Sequence, residues 1–430
     1  MRVMVVGGGG REHALVRGIA ADPRVDFIHA LPGNGGIAEL ATCFPIAATD
    51  LDAIEAHAVE HDINFAVVAP DDPLVLGLVD RLEARGIRSF GPTQAAARIE
   101  GSKRYAKNLM RKYGIPTANF AEFENVEAAR AYLHTKTVWP QVLKADGLAL
   151  GKGVYIAPDL AAAEEALAAL MIDRAHGDAG RSIIIEDWLG EPAREITVLA
   201  FCDGERAVAM PASMDHKRAL DGDKGPNTGG MGVIAPNPLY IPEVAERVEC
   251  EILRPTVAAL QAEGCPFRGC LYLGLMLTDD GPKVIEYNCR FGDPEAQAVL
   301  PLLESGLLPL LEACADGRLD QVDVEFQEAA TCTVILTSAG YPGRYQTGFP
   351  IDFGGVEELP DVFVYHAGTK RIGEDILTSG GRVLAVTARA ASLPEAIKLA
   401  YRASDLIHFE GRSCRRDIGA AALGHLKEHS

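Results

Sequence analysis

The fold prediction depends above all on the stretch VIEYNCRFGDPEAQ, residues 284–297. Its first half reads as a β-strand, and strand alternation would place Glu286, Asn288 and Arg290 on one face. Carboxylate and amide oxygens suit Mg²⁺, which takes one or two protein ligands and completes its shell with phosphates and water. The alternative is a polar strand face toward solvent. That alternative fits poorly, because Arg, Asp and Glu crowd around a glycine and a proline in the second half.

A second stretch, QVLKADGLALGKGV at residues 141–154, ends a strand in Lys144 and continues into a glycine-rich turn. An ammonium at this place can bind the α- and β-phosphates of a nucleotide while the turn folds over the γ end. The stretch is not a P-loop, because Lys152 is followed by Gly153 instead of Ser or Thr. A glycine-rich hairpin with solvated lysines remains an equal alternative.

The stretch IIIEDWL, residues 183–189, is a buried strand that runs into Glu186 and Asp187. A strand that leaves a lobe in this way offers backbone N–H and C=O groups to an adenine edge. The ordinary alternative is a solvated turn.

Four glycines in GGGGREHA, residues 7–14, lie between a strand and a helix. A dinucleotide-binding fingerprint fails here, because the third position after each glycine pair holds Glu12 or His13 instead of glycine. A phosphate site at the helix N-terminus is possible, with a tight turn as the alternative.

The order of apolar runs predicts a multi-domain protein with α/β and α+β parts. Strands alternate with helices over the first hundred residues, including a helix at 75–84, which indicates a parallel sheet. A second cycle forms a small lobe. An antiparallel sheet follows, with a polar loop at 215–232 and a covering helix at 242–263. The predicted parts are an N-terminal α/β domain (1–101), a connection (102–122), a small lobe (123–190), a central α+β domain (191–325) and a small C-terminal domain (326–430).

Composition narrows the function classes. The chain has 430 residues, of which 48% are hydrophobic and 23% charged, and a formal net charge of −19. A strongly acidic protein is not expected to bind nucleic acid or acidic membranes, although a small nucleotide needs only a local basic nest. The nine scattered cysteines and the short apolar run before the first glycines favour a cytoplasmic protein without disulfides, signal peptide or membrane helix.

Taken together, these motifs resemble the ATP-grasp superfamily in their order and spacing. The match is narrower for RFGDPEAQ (290–297), GGGGREHA, EGSK (100–103), DHKRALDGDKGPNTGGMG (215–232) and RRDIG (415–419), which resemble the phosphoribosylamine–glycine ligases over the whole chain. The resemblance implies an ADP-forming ligase of de novo purine biosynthesis. Such an enzyme joins glycine to 5-phosphoribosylamine through glycyl phosphate, using ATP with Mg²⁺ or Mn²⁺, and we expect it to be a monomer.

The resemblance also assigns residues to roles. Catalysis would fall to Arg290, Lys144 and Asp293, and the metal to Glu286 and Asn288. ATP would be bound by Lys103, Lys144, Gly147, Gly151, Lys152, Gly153, Val154, Glu186, Asp187, Trp188, Leu189 and Glu195. The glycine and phosphoribosylamine substrates would be bound by Gly8, Gly9, Gly10, Arg11, Asn34, Asp215, Lys217, Arg290 and Asp293.

Three departures from the family pattern bear on these roles. Asp71 stands where the family has Glu, Lys224 stands where a small polar residue is usual, and the connector at 190–194 is about two residues longer. One rival is another ATP-grasp ligase, acting on formate, bicarbonate or a different amino acid, against which RFGDPEAQ and NTGGMG argue. The other rival is a nucleotide-binding regulatory or structural protein with a dead site, against which the simultaneous presence of Lys144, Glu286, Asn288 and Arg290 argues.

Overall fold

The computed structural model describes residues 1–148, 153–173, 180–191 and 194–428, with residues 425–428 described by their backbone alone. Within these ranges the helices and strands form an N-terminal parallel sheet, a small antiparallel lobe, a central antiparallel sheet and a C-terminal sheet. The predicted combination of α/β and α+β parts is therefore confirmed.

The N-terminal part is a parallel sheet with strand order β3-β2-β1-β4-β5. Its strands are apolar runs because helices cover both faces. The predicted helix at 75–84 is broken, because Gly77 adopts φ +88° and starts a new helix. The elements are β1 (Arg2–Gly7), α1 (Gly10–Ala20), β2 (Phe27–Pro32), β3 (Thr42–Cys43), α2 (Leu51–Glu60), β4 (Phe65–Val68), α3 (Asp71–Val75), α4 (Leu78–Ala84), β5 (Arg88–Phe90), α5 (Gln94–Gly101) and α6 (Lys103–Tyr113).

Helix α6 carries two lysines toward the centre of the molecule. The Ser102 side chain caps the helix by accepting from the Tyr105 N–H at 3.1 Å, and Gly114 ends it at φ +69°. Lys103 and Lys107 are one turn apart, so both ammonium groups lie on the same helix face.

The small lobe is an antiparallel sheet with strand order β6-β9-β7-β8 and helices packed on one face. Its apolar side chains, such as Leu143 and Ile185, form a core of their own. The elements are β6 (Phe120–Phe123), α7 (Val126–Leu133), β7 (Gln141–Ala145), β8 (Val154–Ala157), α8 (Leu160–Leu167), which continues as a π-helical turn (Ala168–Ile172), and β9 (Ile183–Asp187).

The central sheet has the antiparallel order β11-β10-β16-β17. The predicted helix at 242–263 is a continuous helical run with a π-helical segment at Val248–Leu253. The predicted loop at 215–232 is wrong in part, because it contains the hairpin β13–β14. The elements are β10 (Glu195–Asp203), β11 (Ala207–Ala209), β12 (Met214–Asp215), β13 (Arg218–Leu220), β14 (Lys224–Asn227), β15 (Gly232–Ala235), α9 (Pro242–Arg247), α10 (Arg254–Ala262), β16 (Arg268–Thr278) and β17 (Gly281–Asn288).

The C-terminal sheet has the order β12-β15-β18-β22-β19, with β23 beside β18. It therefore includes two strands from the central part of the chain, and Ile234 of β15 pairs with Cys332 of β18. The elements are α11 (Glu295–Val299), α12 (Leu307–Asp316), β18 (Ala330–Ser338), β19 (Val362–His366), β20 (Thr369–Ile372), β21 (Asp375–Thr378), β22 (Arg382–Ala390), α13 (Leu393–Ser404), β23 (Arg412–Ser413) and α14 (Ala420–Glu428).

The N-terminal and central parts share a hydrophobic core. Val6 and Leu74 from the first sheet belong to the same buried cluster as Leu271 and Val284 from the central sheet. The lobe core is separate from this cluster, so the lobe contacts the rest of the molecule through its two connecting segments and through polar contacts with α6, such as Ser102 with Asp146 and Arg104 with Glu122. Among the described residues no helix combines the length and apolar character needed to cross a membrane.

Candidate active site

A cavity of about 840 Å³ lies between the small lobe, the central sheet and the C-terminal sheet. Its volume is in the range of nucleotide and cofactor pockets. Many residues predicted from the sequence meet in its lining, although they come from separate parts of the chain. They are Arg11, Lys103, Lys144, Gly153, Val154, Glu186, Asp187, Trp188, Leu189, Glu195, Asp215, Lys217, Glu286, Asn288, Arg290 and Asp293.

Two ammonium groups line the cavity, of which Lys144 is buried and Lys103 is partly exposed. Lys144 Nζ lies 3.0 Å from Glu186 Oε1 and donates to the Ile285 carbonyl at 3.1 Å. Lys103 Nζ donates to the Gly147 carbonyl at 3.0 Å. Burial lowers the pKa of Lys103, while Glu286 opposes that shift. These groups form the positive wall that a polyphosphate requires.

Glu286 and Asn288 lie on the same side of β17, as strand alternation predicts, and both line the cavity. In the described part of the chain the Glu286 carboxylate has no hydrogen bond and no ion pair within 4.0 Å. Burial acts to raise its pKa, but Lys217, Lys144 and Lys103 together outweigh burial and lower it. The carboxylate is therefore ionised and free to bind a cation.

Arg290 follows on the same face and is held by acidic partners. Its Nη2 lies 3.0 Å from Glu100 Oε1, 3.4 Å from Asn288 Oδ1 and 4.0 Å from Asp71 Oδ2. Its Nε is buried without a hydrogen bond among the described residues. The shorter side chain of Asp71 thus leaves this carboxylate at the edge of ion-pair distance from the guanidinium.

Asp293 is bound by an arginine from the C-terminal sheet. Arg382 Nη2 lies 3.3 Å from Asp293 Oδ1, and its Nη1 donates to the carbonyls of Asp293 at 2.7 Å and Gly229 at 2.6 Å. Burial acts to raise the pKa of Asp293, but Arg382 and Arg11 outweigh it and lower the pKa. Asp293 is therefore an ionised carboxylate at the meeting point of three parts of the chain.

A group of polar side chains lies at the foot of the central sheet. Lys217 Nζ donates to Glu195 Oε2 at 2.8 Å, and the Tyr272 hydroxyl donates to Glu295 Oε1 at 2.9 Å. Burial, reinforced by Glu295, raises the pKa of Asp215 well above its usual range. Asp215 can therefore carry a proton and donate a hydrogen bond, unlike Asp293.

The glycine turn before α1 lies beside the cavity and joins the N-terminal and C-terminal parts. The Asn34 amide donates to the Gly8 carbonyl at 2.9 Å and to the His366 carbonyl at 2.7 Å. A side chain at Gly8 would approach the Gly33 carbonyl to 2.4 Å, so the turn requires glycine there. Arg11 alone of the predicted residues in this region lines the cavity, donating to the Phe291 carbonyl at 2.9 Å.

The hairpin β13–β14 forms an outer wall and is held by the segment that follows β23. Arg415 Nη1 donates to the Arg218 carbonyl at 3.0 Å and to Asp223 Oδ1 at 3.1 Å. Asp417 accepts from Arg415 and from the Gly222 N–H at 2.7 Å. Lys224, the departure noted in the sequence, lies at the exposed edge of this hairpin.

Two predicted ATP contacts, Gly151 and Lys152, lie outside the described residues. Sequence reasoning named no role for Arg382, Glu100 or Lys107, all of which line the cavity. Arg382 lies in the run GGRVL, residues 380–384, which also resembles the family pattern and could have indicated a role for this arginine.

A lysine-bearing lobe above an antiparallel sheet that presents Glu286, Asn288 and Arg290 defines an ATP-grasp enzyme. The chain belongs to the phosphoribosylglycinamide synthetase family. The N domain of that family matches residues 1–100, its ATP-grasp (A) domain matches 101–296 and its C domain matches 331–421. As an ATP-grasp enzyme the protein binds ATP.

Curated relatives and solved structures agree with this family. The phosphoribosylamine–glycine ligase of Caldanaerobacter subterraneus is 46% identical over 420 residues, covering 98% of this chain and 100% of that protein. The Vibrio cholerae enzyme of the same name is 44% identical, covering 98% and 99%. The crystal structure of the Thermotoga maritima ligase superposes with a TM-score of 0.85 at 33% identity, covering 97% of this chain and all of that one. Biotin carboxylase from Campylobacter jejuni, at 15% identity and a TM-score of 0.73 over 99% and 94% of the two chains, shares the fold alone.

Proposed function

We propose that this protein is an ADP-forming ligase that joins glycine to 5-phosphoribosylamine and yields glycinamide ribonucleotide, in de novo purine biosynthesis. The observation that carries the proposal is that Glu286, Asn288 and Arg290 line one cavity together with Lys103 and Lys144. The family membership of the full chain supports the same substrates.

The chemistry assigned to the cavity needs no protein nucleophile. A glycine carboxylate oxygen attacks the γ-phosphorus of ATP, and ADP leaves. The amine of phosphoribosylamine then attacks the carbonyl carbon of glycyl phosphate, phosphate leaves with the bond electrons, and the proton lost by the amine nitrogen passes to the departing phosphate. Lys103 and Lys144 stabilise the negative charge on the phosphate groups of ATP during the transfer. Arg290 stabilises the negative charge on glycine and on glycyl phosphate. Asp293, kept ionised by Arg382, orients the amine.

The remaining assignments follow the geometry of the cavity walls. We assign the adenine ring to the connector at 186–189, the ribose to Glu195, and glycine and phosphoribosylamine to the wall formed by Asp215, Lys217 and Arg11. From the family resemblance we also assign the segment 147–154 to the phosphates, although residues 149–152 lie outside the described part of the chain. Gly8 to Gly10 and Asn34 support that wall from behind.

The metal site fits Mg²⁺ or Mn²⁺. Glu286 is an ionised carboxylate with no protein partner in the described residues, and Asn288 supplies an amide oxygen two residues later, which together are the hard oxygen donors that these cations prefer. A bound cation would neutralise charge on the β- and γ-phosphates.

Omission of single reactants tests the reaction. We expect ADP release only when glycine, phosphoribosylamine, ATP and Mg²⁺ are all present. Comparable ADP release with formate, bicarbonate or another amino acid would overturn the proposed substrates, and no release with any acid would indicate a binding protein.

We further propose that the chain acts as a monomer in the cytoplasm. Light scattering of the purified protein at micromolar concentration should give the mass of one chain, and a mass of two chains would contradict this.

A further inference from the structure

Lys107 is a buried ammonium that the proposed chemistry leaves without a role. It lies one turn after Lys103 on α6, is 2% exposed and belongs to the cavity lining. Its Nζ lies 2.9 Å from Glu186 Oε2 and donates to Thr117 Oγ1 at 2.7 Å. A buried lysine is costly unless its charge is compensated, so its partner explains why it is tolerated and what it can do.

Glu186 is shared between two lysines. One carboxylate oxygen lies 3.0 Å from the Lys144 ammonium and the other lies 2.9 Å from that of Lys107, and all three residues are less than 5% exposed. Two ammonium groups and one carboxylate leave a net charge of one positive unit beside the cavity. Without Lys107, Lys144 and Glu186 would form a neutral ion pair. The carboxylate of Glu186 would then largely compensate the positive charge of Lys144.

The charges of this triad are set by burial and by one another. Burial lowers the pKa of Lys107 to about 8, while Glu186 opposes that shift. Burial acts to raise the pKa of Glu186, but Lys144 and Lys107 outweigh burial and lower it. Both lysines therefore favour the ionised form of Glu186.

Lys107 is fixed to the central part of the molecule, not to the lobe. Thr117, which accepts from Lys107, donates to the Val284 carbonyl at 2.7 Å, and the Val284 N–H donates to the Pro116 carbonyl at 2.8 Å. Val284 lies on β17, the strand that carries Glu286. Lys107 is therefore held by the central part of the molecule, and it contacts Glu186 near the end of β9, where the chain leaves the lobe.

We propose that Lys107 is a positioning residue for the nucleotide site: by balancing the charge of Glu186, it leaves the ammonium of Lys144 available to the nucleotide phosphates. The proposal rests on the phosphate-binding role proposed above for Lys144. It assigns Lys107 no contact with the nucleotide, so its whole effect passes through Glu186.

Isothermal titration of the full-length protein with ADP and Mg²⁺ tests this without requiring ligase turnover. We expect Lys107→Met to weaken ADP binding roughly 10- to 100-fold, the range for one charge-assisted hydrogen bond. Lys144→Met should weaken it at least as much. Lys112→Gln on the same helix is the matched control and should leave binding unchanged, since Lys112 is exposed and pairs with Glu263 at the surface.

A double-mutant cycle separates charge balance from a general loss of structure. Once Glu186 is neutral it no longer needs Lys107, so the variant Lys107→Met with Glu186→Gln should bind ADP at least as tightly as Glu186→Gln alone. That comparison stands even if Lys107→Met by itself does not fold. Weaker binding by the double variant, or unchanged binding by a folded Lys107→Met, would overturn the proposal. Unchanged binding by Lys144→Met would instead show that the proposed role of Lys144 is wrong.

Discussion

The Glu286 carboxylate is kept ionised by nearby ammonium groups, without a direct ion pair in the described residues. Glu286→Gln keeps the size of the side chain and removes the charge. We expect kcat to fall on the order of 10²–10³, about 2.7–4 kcal/mol, because an electrostatic stabiliser of the transferring phosphoryl group is lost. Asn288→Ala should fall in the same range. Initial rates across a Mg²⁺ titration measure both effects.

A matched control for these two variants lies in the turn before the same strand. Asp280→Asn removes an exposed carboxylate that pairs with Lys283 at 3.1 Å, and we expect normal kinetics. Near-normal kcat and unchanged Mg²⁺ dependence in a folded Asn288→Ala protein would show that the metal site lies elsewhere.

At the residue scale, the sequence predicted side chains whose placement follows from local geometry. Glu286 and Asn288 share a strand and Arg290 follows two residues after it ends, so a period of two was enough to place them together. Arg382 was not predicted, because its hydrogen bonds go to backbone carbonyls of Gly229 and Asp293 that only the folded chain brings within reach. The charge state of Asp215 was likewise beyond the sequence, because burial and a neighbour distant in the chain determine it.

Among the elements, the small lobe has its own core and two connecting segments. It should therefore close on a nucleotide as a body, and hydrogen exchange should slow at 113–120, at 188–191 and at 147–154. Exchange in the buried strands β7 and β9 should change little. Mass spectrometry with and without saturating ADP measures this, and unchanged exchange in all three segments would contradict lobe closure.

The hairpin β13–β14 depends on Arg415, which is 3% exposed and bonds to Arg218 and Asp223. Arg415→Met should loosen the hairpin and speed tryptic cleavage after Lys224 several-fold, because cleavage follows local opening. The rate of appearance of that cleavage product gives the measurement.

Arg416→Met is the control for this variant, since its side chain is half exposed and pairs with Asp405 on the other side. Equal cleavage rates for the two variants would show that Arg415 does not hold the hairpin.

Element types were predicted well where periodicity is strong. The parallel sheet and the lobe strands follow local apolar patterns. The hairpin was predicted as a loop, because its strands are short, the second is fully exposed, and a segment about 190 residues later holds them. The break at Gly77 was missed because the apolar spacing continues across it, although the backbone does not.

Across the whole molecule, a buried histidine pair joins the first helix to the C-terminal sheet. The backbone N–H of His366 donates to Nδ1 of the His13 ring at 2.8 Å. Because this ring nitrogen accepts a hydrogen bond, the His13 ring is neutral. Burial lowers the pKa of His13 to about 3 and that of His366 to about 4, both from an ordinary value of 6.5. Below pH 6.5 the unfolded chain binds protons that the folded chain does not, so the free energy of unfolding falls by about 1.4 kcal/mol per pH unit for each histidine.

His13→Asn removes one of these titrations while keeping an oxygen that can accept from His366. In the unaltered protein the contribution of His13 to the free energy of unfolding is present above pH 6.5 and is lost on acidification. We therefore expect urea unfolding between pH 7.5 and 5.5 to show that this free energy depends less steeply on pH in His13→Asn, by about one proton. His408→Asn, at an exposed position, is the control. An unchanged slope in His13→Asn would mean that His13 does not couple folding to pH.

The pairing of β15 with β18 sets an order of events on the ribosome. Ile234 can pair with Cys332 only after about 100 more residues have been synthesised. At a translation rate of about 5–20 residues per second, this takes roughly 5–20 s. A nascent chain stalled before residue 330 already contains every lysine and carboxylate assigned to the nucleotide, but the wall that carries Asp215 and Lys217 has no sheet to join. Assays of released stalled chains should therefore show ligation appearing in a single late step. A chain whose translation stops before residue 330 would therefore have no ligase activity, and only chains extended beyond that point would be active.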